Sequence, residues 1–532
     1  MGKAKKKNSL HQFRDIPVYI ATNIYLAYLS TFYLLFFHDL YFDITKTRAF
    51  CFIYGTIGFI GLIFIAYILR LCMSDSLSEE RDTEYLFFLD PKRMTRSPFF
   101  WAAIYLLANF ISFLGAKDKT AAWTGEQGRR LGLMMILVFV IMFFAVGYKA
   151  HVSVVIYIVL TVVSCIMFYI GIVQHFGTDF GGWRKDIVDN QKTIFMSTIG
   201  NMNTFGGYIC IFLSISVAIL IFANNPILKC FSGIGLFAAA FTVMTSKSDN
   251  VYIGTCAAFI ILFYLAVHYK KIVEWAAALL VLASGFFAMS IFNEVKKGSK
   301  GHLNGIAEII GNKKIMGIFF FAALIIFAAL MYVRVKKNPV YEKFQSKKLM
   351  LIVTAAGFVG MIIVLIIGFN SGHEYFTFND RWGEFRGFIW DRTVKSYNKG
   401  NIWNKFFGFG NESVRDVVSK WYLEDMRTIP KKIYDSSHNV ILQQLLTTGI
   451  VGVAAYVGFV VSSIVYMIKN AAENPAVMAC IAGGTAYFAQ AMVNPEQPII
   501  TPIFYVLLAL GIGVARDKKA DKIYHKATSK KR

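Results

Sequence analysis

The sequence predicts an all-α bundle of membrane-spanning helices, about 12–14 of them, with one large polar loop outside the bilayer. Three observations predict it. Hydrophobic residues make up 56% of the 532-residue chain and charged ones only 16%, a balance that water-soluble domains do not have. The apolar residues fall in runs long enough to cross ~30 Å of hydrocarbon as helix. The charges lie between those runs, and the basic ones concentrate in a few connections.

The chain opens with the basic stretch "MGKAKKKNSLHQFRD", so residues 1–15 are expected in the cytoplasm. The apolar run beginning at Ile16 covers about 20 residues, and no small-residue cleavage site follows it. It reads as a retained first span. Residues 16–369 are then transmembrane, with spans near 16–37, 50–71, 99–115, 131–147, 152–173, 205–222, 228–246, 249–268, 272–292, 315–333 and 350–369. Three more, near 439–468, 474–492 and 497–515, make residues 438–515 a second helical region. The tail 516–532, "RDKKADKIYHKATSKKR", is basic again and is assigned to the cytoplasm with the loop "RVKKNPVYEKFQSKK" at 334–348. An even number of spans with both ends inside satisfies all three basic segments. Residues 370–437 then form the large external loop.

The net charge of +23 follows from cytoplasmic lysines and arginines, and no nucleic-acid partner is expected. The seven cysteines all sit in or at the ends of apolar runs, which suggests no disulfide framework. Two smaller outer loops accompany the large one: 115–130, "GAKDKTAAWTGEQGRR", and 174–204, which contains "HFGTDFGGWRKDIVDNQK". Arginines on that side run against the charge bias and call for a reason.

Residues 379–393, "NDRWGEFRGFIWDRT", bring Arg381, Arg386 and Arg392 together with Trp382 and Trp390. Guanidinium forks suit phosphate, because they donate two parallel hydrogen bonds and keep their charge at any pH. Tryptophan faces suit sugar rings. An interfacial belt on lipid headgroups is the competing reading for the same residues. His438 follows the loop, at the start of the next span, where a neutral imidazole can accept a proton near pH 7. His438 and Asn439 can also simply cap the helix. Gly449 and Gly452, further along, permit close packing against a neighbour.

His438-Asn439, nine residues, then "GIVG" matches the H-[NSQ]-x9-G-x-x-G pattern of the O-antigen ligase family, and the chain resembles that family in three further stretches. "STIGNMNTFGGYICIFL" (197–213) is similar to its G-N-P-N segment, with Met202 in place of the proline. "MTSKSDNVYIG" (244–254) is similar to its T-x-S-R-G segment, with Lys247 where arginine is usual. "FRGFIWDRTV" and "FFGFGN" resemble its G-R-x-x-I-W and G-x-G elements. The likeness covers roughly residues 195–470. It implies a GT-C-like membrane glycosyltransferase, ligase or polymerase, that takes a glycan from undecaprenyl diphosphate at the outer face of a bacterial cytoplasmic membrane. The acceptor is a glycan or lipid-linked sugar hydroxyl, and no metal or other cofactor is implied. Carried over residue by residue, His438 is the base and Arg386 a diphosphate contact, both catalytic. Lys247, Arg381, Arg392, Asn439, Trp390, Asn201 and Asn203 are expected to bind substrate.

The residues suit that chemistry on their own terms. No D-x-D metal motif occurs in the chain, so basic side chains have to neutralise the leaving diphosphate. Glu384, Asp391 and Asp435 are alternative bases or loop ion-pair partners. A flippase for lipid-linked glycans is the alternative function. It calls for charges buried inside several spans, and the predicted spans are nearly free of them.

Overall fold

The computed structural model describes residues 2–73, 94–296, 303, 305–372 and 376–529; residues 373–375 of the expected external loop 370–437 and the last three residues of the basic tail lie outside them. Among the described residues the chain is mostly helical, with almost no sheet. The first helices are α1 (Gly2–Ser30), α2 (Phe32–Leu35), α3 (Ile44–Cys72), α4 (Pro98–Gly115), α5 (Lys119–Thr124), α6 (Leu133–Tyr148) and α7 (Val154–His175). A two-stranded antiparallel hairpin, β1 (Phe195–Met196) and β2 (Gly200–Asn201), pairs Phe195 with Asn201. It leads into α8 (Met202–Phe222), α9 (Pro226–Val243), α10 (Asn250–His268) and α11 (Ile272–Val295). Next come α12 (Ile306–Gly311), α13 (Lys313–Val335), α14 (Val340–Lys343) and α15 (Lys347–Ser371). The long polar segment folds as α16 (Trp382–Asn398), α17 (Ile402–Phe407) and α18 (Val414–Thr428). The bundle closes with α19 (Val440–Asn470), α20 (Pro475–Ala491) and α21 (Thr501–Ser529).

Each predicted span is a helix, but only eleven helices among the described residues are long and apolar enough to cross a membrane. The shortfall from fourteen has a physical cause. Helices α6 and α20 and the apolar part of α21 are short because the connections 125–132 and 492–500 sink into the bundle as irregular chain. Leu131, Asn494, Gln497 and Ile499 there are all buried. Non-helical backbone is tolerated at such depth only where protein surrounds it.

Helix α8 is the axis of the bundle, buried along almost its whole length against α9, α10 and α20. The outward faces are apolar: Ile318 is 73% exposed, Leu351 71% and Phe64 65%. A water-soluble surface does not carry such a belt, whereas hydrocarbon is its natural solvent. The fold is that of an all-α multi-pass membrane protein.

Two polar ends bound the belt. At one end Asp15 binds Arg70 (2.7 Å) and Lys149, and Lys149 reaches Asp517 (3.3 Å), which joins the start of the first span to the last helix. At the other end a satellite core of Phe388, Ile389, Val414, Val418, Met426, Tyr434 and Leu446 packs α16 and α18 over the start of α19. Helix α19 is broken at Gly449 (φ 69°, ψ −171°). The break frees carbonyls that accept from the incoming loop: Phe409 N–H donates to Leu446 O (3.0 Å) and Gly410 N–H to Thr447 O (3.1 Å). Gly449 does permit close packing against a neighbour: a Cβ there would lie 2.3 Å from the main-chain oxygen of Phe406, so the glycine admits the end of α17 and the G-x-G loop that follows it.

Candidate functional site

The site lies at this second end, where residues 434–439, α16, the connection 125–132 and the segment 244–250 meet. His438 comes one residue before the N-cap of α19. Asn439 is that cap: its side-chain oxygen accepts from Ile441 N (2.9 Å) and Leu442 N (3.1 Å). Asn439 thus aims the helix, and its oxygen is not available to a ligand. His438 itself is in the left-handed region (φ 52°) and its main-chain N–H donates to Ser436 Oγ. Its Nδ1 lies 3.1 Å from the Ser436 carbonyl. A carbonyl only accepts, so Nδ1 carries the proton and Nε2 is left with the lone pair.

Arg386 opens the regular part of α16 after Gly383, Glu384 and Phe385, three consecutive residues with φ between 58° and 67°. Left-handed backbone costs a residue with a Cβ roughly 1–2 kcal/mol, so this turn is held by its surroundings. It curls the Gly383 carbonyl onto Arg386 Nη1 (3.1 Å) and leaves Arg386 Nε buried without a partner. Trp390 follows at the i+4 position, on the same helix face, and its indole N–H is also buried and unpaired. The Trp390 ring packs on Trp382 and Phe378. Two orphan donors on one face await an acceptor.

Arg386 acts electrostatically on His438, on Tyr434 and on Asp249. Asp249 belongs to the stretch that carries Lys247, another left-handed residue (φ 51°). Burial lowers the Lys247 ammonium below its usual range and raises the Asp249 carboxyl. Asn203 is tied to the same stretch through Ser248 Oγ (2.5 Å), and its main-chain carbonyl accepts from Asn250 Nδ2 (3.1 Å). Asn201 caps α8 by accepting from Asn203 N (2.9 Å). The hairpin that sets Asn201 is pinned in turn by Arg48, which donates to Leu34 O (2.9 Å) and Thr198 O (2.7 Å).

The structure thus gathers His438, Arg386, Lys247, Asn201, Asn203 and Trp390 at one end. Arg381 is exposed at the mouth of α16. Arg392 is engaged elsewhere. It binds Asp380 (3.2 Å), Asp391 (2.5 Å) and Asp425 (3.2 Å) and stacks on Phe388, which staples α16 to α18. Asp391 is thereby an ion-pair partner. We expect Arg392→Ala to loosen the polar segment by about 2–3 kcal/mol, less than a fully buried pair because the carboxylates keep access to water. Arg392→Lys should recover little of this, since an ammonium has no fork. Protease cleavage within residues 399–432 measures it.

Sequence reasoning missed Arg129. Its Nη2 and Nε lie 2.8 Å and 3.2 Å from Asp435 Oδ1, and its main-chain N–H donates to Glu412 Oε2 (2.6 Å). Burial would raise the Asp435 carboxyl, but the charge and hydrogen bonds of Arg129 more than offset it and hold the group below its usual range. Burial, then the charge of Arg129, push His438 down to about 3 against the opposing pull of Asp435. The ring is therefore uncharged at neutral pH. Behind Arg129 a cavity of about 30 Å³, room for about two waters, is lined by Asn109, Asn411, Glu412, Gln444 and Glu496. Burial raises Glu412 to about 7 and Glu496 to about 8. Among the described residues no three His, Cys, Asp or Glu side chains are grouped as a metal centre requires.

No known protein-family model matches this chain, and no curated protein matches it either.

Proposed function

We propose that the chain is a GT-C-like membrane glycosyltransferase that moves a glycan from undecaprenyl diphosphate to a sugar hydroxyl at the outer face of the cytoplasmic membrane. The observation that carries the reading is a neutral imidazole with a free Nε2 lone pair, set beside two guanidinium groups at the polar end opposite the Asp15 cluster.

The chemistry follows from those groups. The acceptor hydroxyl gives its proton to His438 Nε2 as its oxygen bonds to the anomeric carbon. The bond from that carbon to the diphosphate oxygen breaks in the same step, and the electron pair leaves with the diphosphate. A single displacement inverts the anomeric configuration. Arg386 Nε and the Trp390 indole N–H, both without partners, supply donors to the leaving oxygens, and Lys247 adds charge. The basic groups that keep His438 weak when the site is empty are compensated by the arriving diphosphate. The base therefore strengthens when donor is bound. The proton passes to water as product leaves.

The test is direct. Full-length protein in lipid nanodiscs receives an undecaprenyl diphosphate-linked oligosaccharide and candidate acceptors, and mass spectrometry identifies what carries the glycan. Transfer with release of undecaprenyl diphosphate supports the reading, and the product distinguishes a ligase from a polymerase. Transbilayer movement of intact donor with no transfer overturns it in favour of a flippase.

A further inference from the structure

The connection 125–132 is built to deliver one arginine. Gly125 (φ 69°) turns the chain back so that Arg130 N–H returns to the Gly125 carbonyl (2.8 Å). At Gly128 a Cβ would lie 1.8 Å from Glu412 Oε2, so a larger residue there would displace that carboxyl from its contact with the loop. The two adjacent arginines then diverge. Arg130 pairs with Glu126 (3.3 Å) and covers the Phe50 ring, away from the site. Arg129 turns inward onto Asp435.

Asp435 stands three residues before His438 and interacts with it electrostatically. A carboxylate left free in that position would draw a proton onto the imidazole and hold it there. We propose that Arg129 is a positioning residue: its two contacts to Asp435 Oδ1 occupy that carboxylate, so that His438 stays an uncharged base. As a role in glycan transfer this rests on the reading above; as a statement about the imidazole it stands alone.

The groups that face His438 set the sign. Arg129 comes from the 125–132 connection and Arg386 from α16. Asp435 comes from its own loop, and the Tyr434 ring meets the imidazole edge-on at 5.3 Å. Glu412 acts on Asp435, while Glu384 and Asp249 act around Arg386. Removing Arg129 deletes one positive neighbour and releases one negative one. Both changes favour the imidazolium. Removing Asp435 as well cancels the second.

The experiment is a pH titration of full-length protein labelled with ¹⁵N-histidine in nanodiscs. The chain has nine histidines, so a His438→Gln variant identifies the resonance. In the unaltered protein His438 stays neutral down to about pH 5. In Arg129→Gln its midpoint rises to about 6.5, the ordinary value, and Arg129→Gln/Asp435→Asn returns it below about 5. A midpoint in Arg129→Gln no higher than in the unaltered protein overturns the proposal. So does a double variant that stays as high as the single one. If Arg129→Gln fails to insert, Asp435→Asn carries the test: with no carboxylate to draw a proton onto the ring the His438 midpoint stays below about 5, and a midpoint at or above the ordinary value overturns the proposal.

A parallel rate measurement uses the undecaprenyl diphosphate-linked oligosaccharide. Arg129→Gln should transfer about tenfold more slowly than the unaltered protein at pH 5.5, one unit below its raised midpoint, and recover toward pH 9, whereas a merely structural loss is equal at every pH. Equal loss at all pH values counts against a positioning role. If the titration behaves as stated and no variant, altered or not, transfers glycan, the role of Arg129 stands and the glycosyltransferase reading falls.

Discussion

Alanine in place of His438 is expected to slow glycan transfer at pH 7 by about 10²–10⁴-fold, the usual contribution of a positioned base. Insertion and thermal stability should change little. Asn439, not His438, caps α19, and the His438 ring bonds the neighbouring Ser436 carbonyl. Arg386→Ala should lose a comparable factor by a different route, since it removes donors to the departing diphosphate. Arg386→Lys retains the charge without the fork and should recover only part of the loss. Purified variants in nanodiscs, given the lipid-linked oligosaccharide at saturating concentration, separate the two effects. His438→Ala lowers kcat, and Arg386→Ala lowers kcat and weakens donor binding as well. Transfer by His438→Ala within threefold of the unaltered rate would end its assignment as the base.

Much of the fold was legible because hydrocarbon is an exacting solvent. Runs such as 205–222 and 249–268 have no alternative to the helix, and they form Met202–Phe222 and Asn250–His268. The short spans were harder. Nothing in the composition of "GEQGRRL" says that this stretch sinks between helices, because its depth is set by Glu412 and Asp435, some 280–310 residues away in sequence. Arg129 was out of reach for the same reason. Its only local signal was an arginine pair in a connection expected to avoid basic residues. The Arg392 cluster failed in the opposite direction. Three arginines and two tryptophans in one stretch look alike on the page, yet Asp425, carried in by α18, makes Arg392 a structural tie and leaves Arg386 with an unpaired N–H. Asn439 was readable: an Asn directly before an apolar helix is a cap on residue type alone. The proximity of His438 to Arg386, by contrast, came from resemblance in sequence and not from periodicity.

Gly449→Ala should be, with Gly408→Ala, among the most destabilising single-methyl changes at this end of the molecule. The φ of 69° with ψ of −171° lies in a region that residues with a Cβ do not occupy. Helical backbone at this position would also take back the carbonyls of Leu446 and Thr447, which now hold Phe409 and Gly410. The added methyl would meet main-chain atoms of Phe406 and Phe407 at 2.3–2.6 Å, and a main chain docked on both sides cannot yield as a side-chain tip can. We expect a loss of about 4 kcal/mol or more, in the range reserved for strain at a special backbone position. Gly360→Ala on α15 has open space around the new methyl and serves as the control, with a change within about 0.5 kcal/mol. The loss should be local at first. Protease sites in 399–432 open while α8, at the centre of the bundle, keeps its amide protection, because the satellite core around Leu446 detaches before the main one. Equal melting temperatures for Gly449→Ala and Gly360→Ala would mean that the loop does not depend on the broken turn. His438 would then be held in place by something other than the docking of residues 406–410 onto α19.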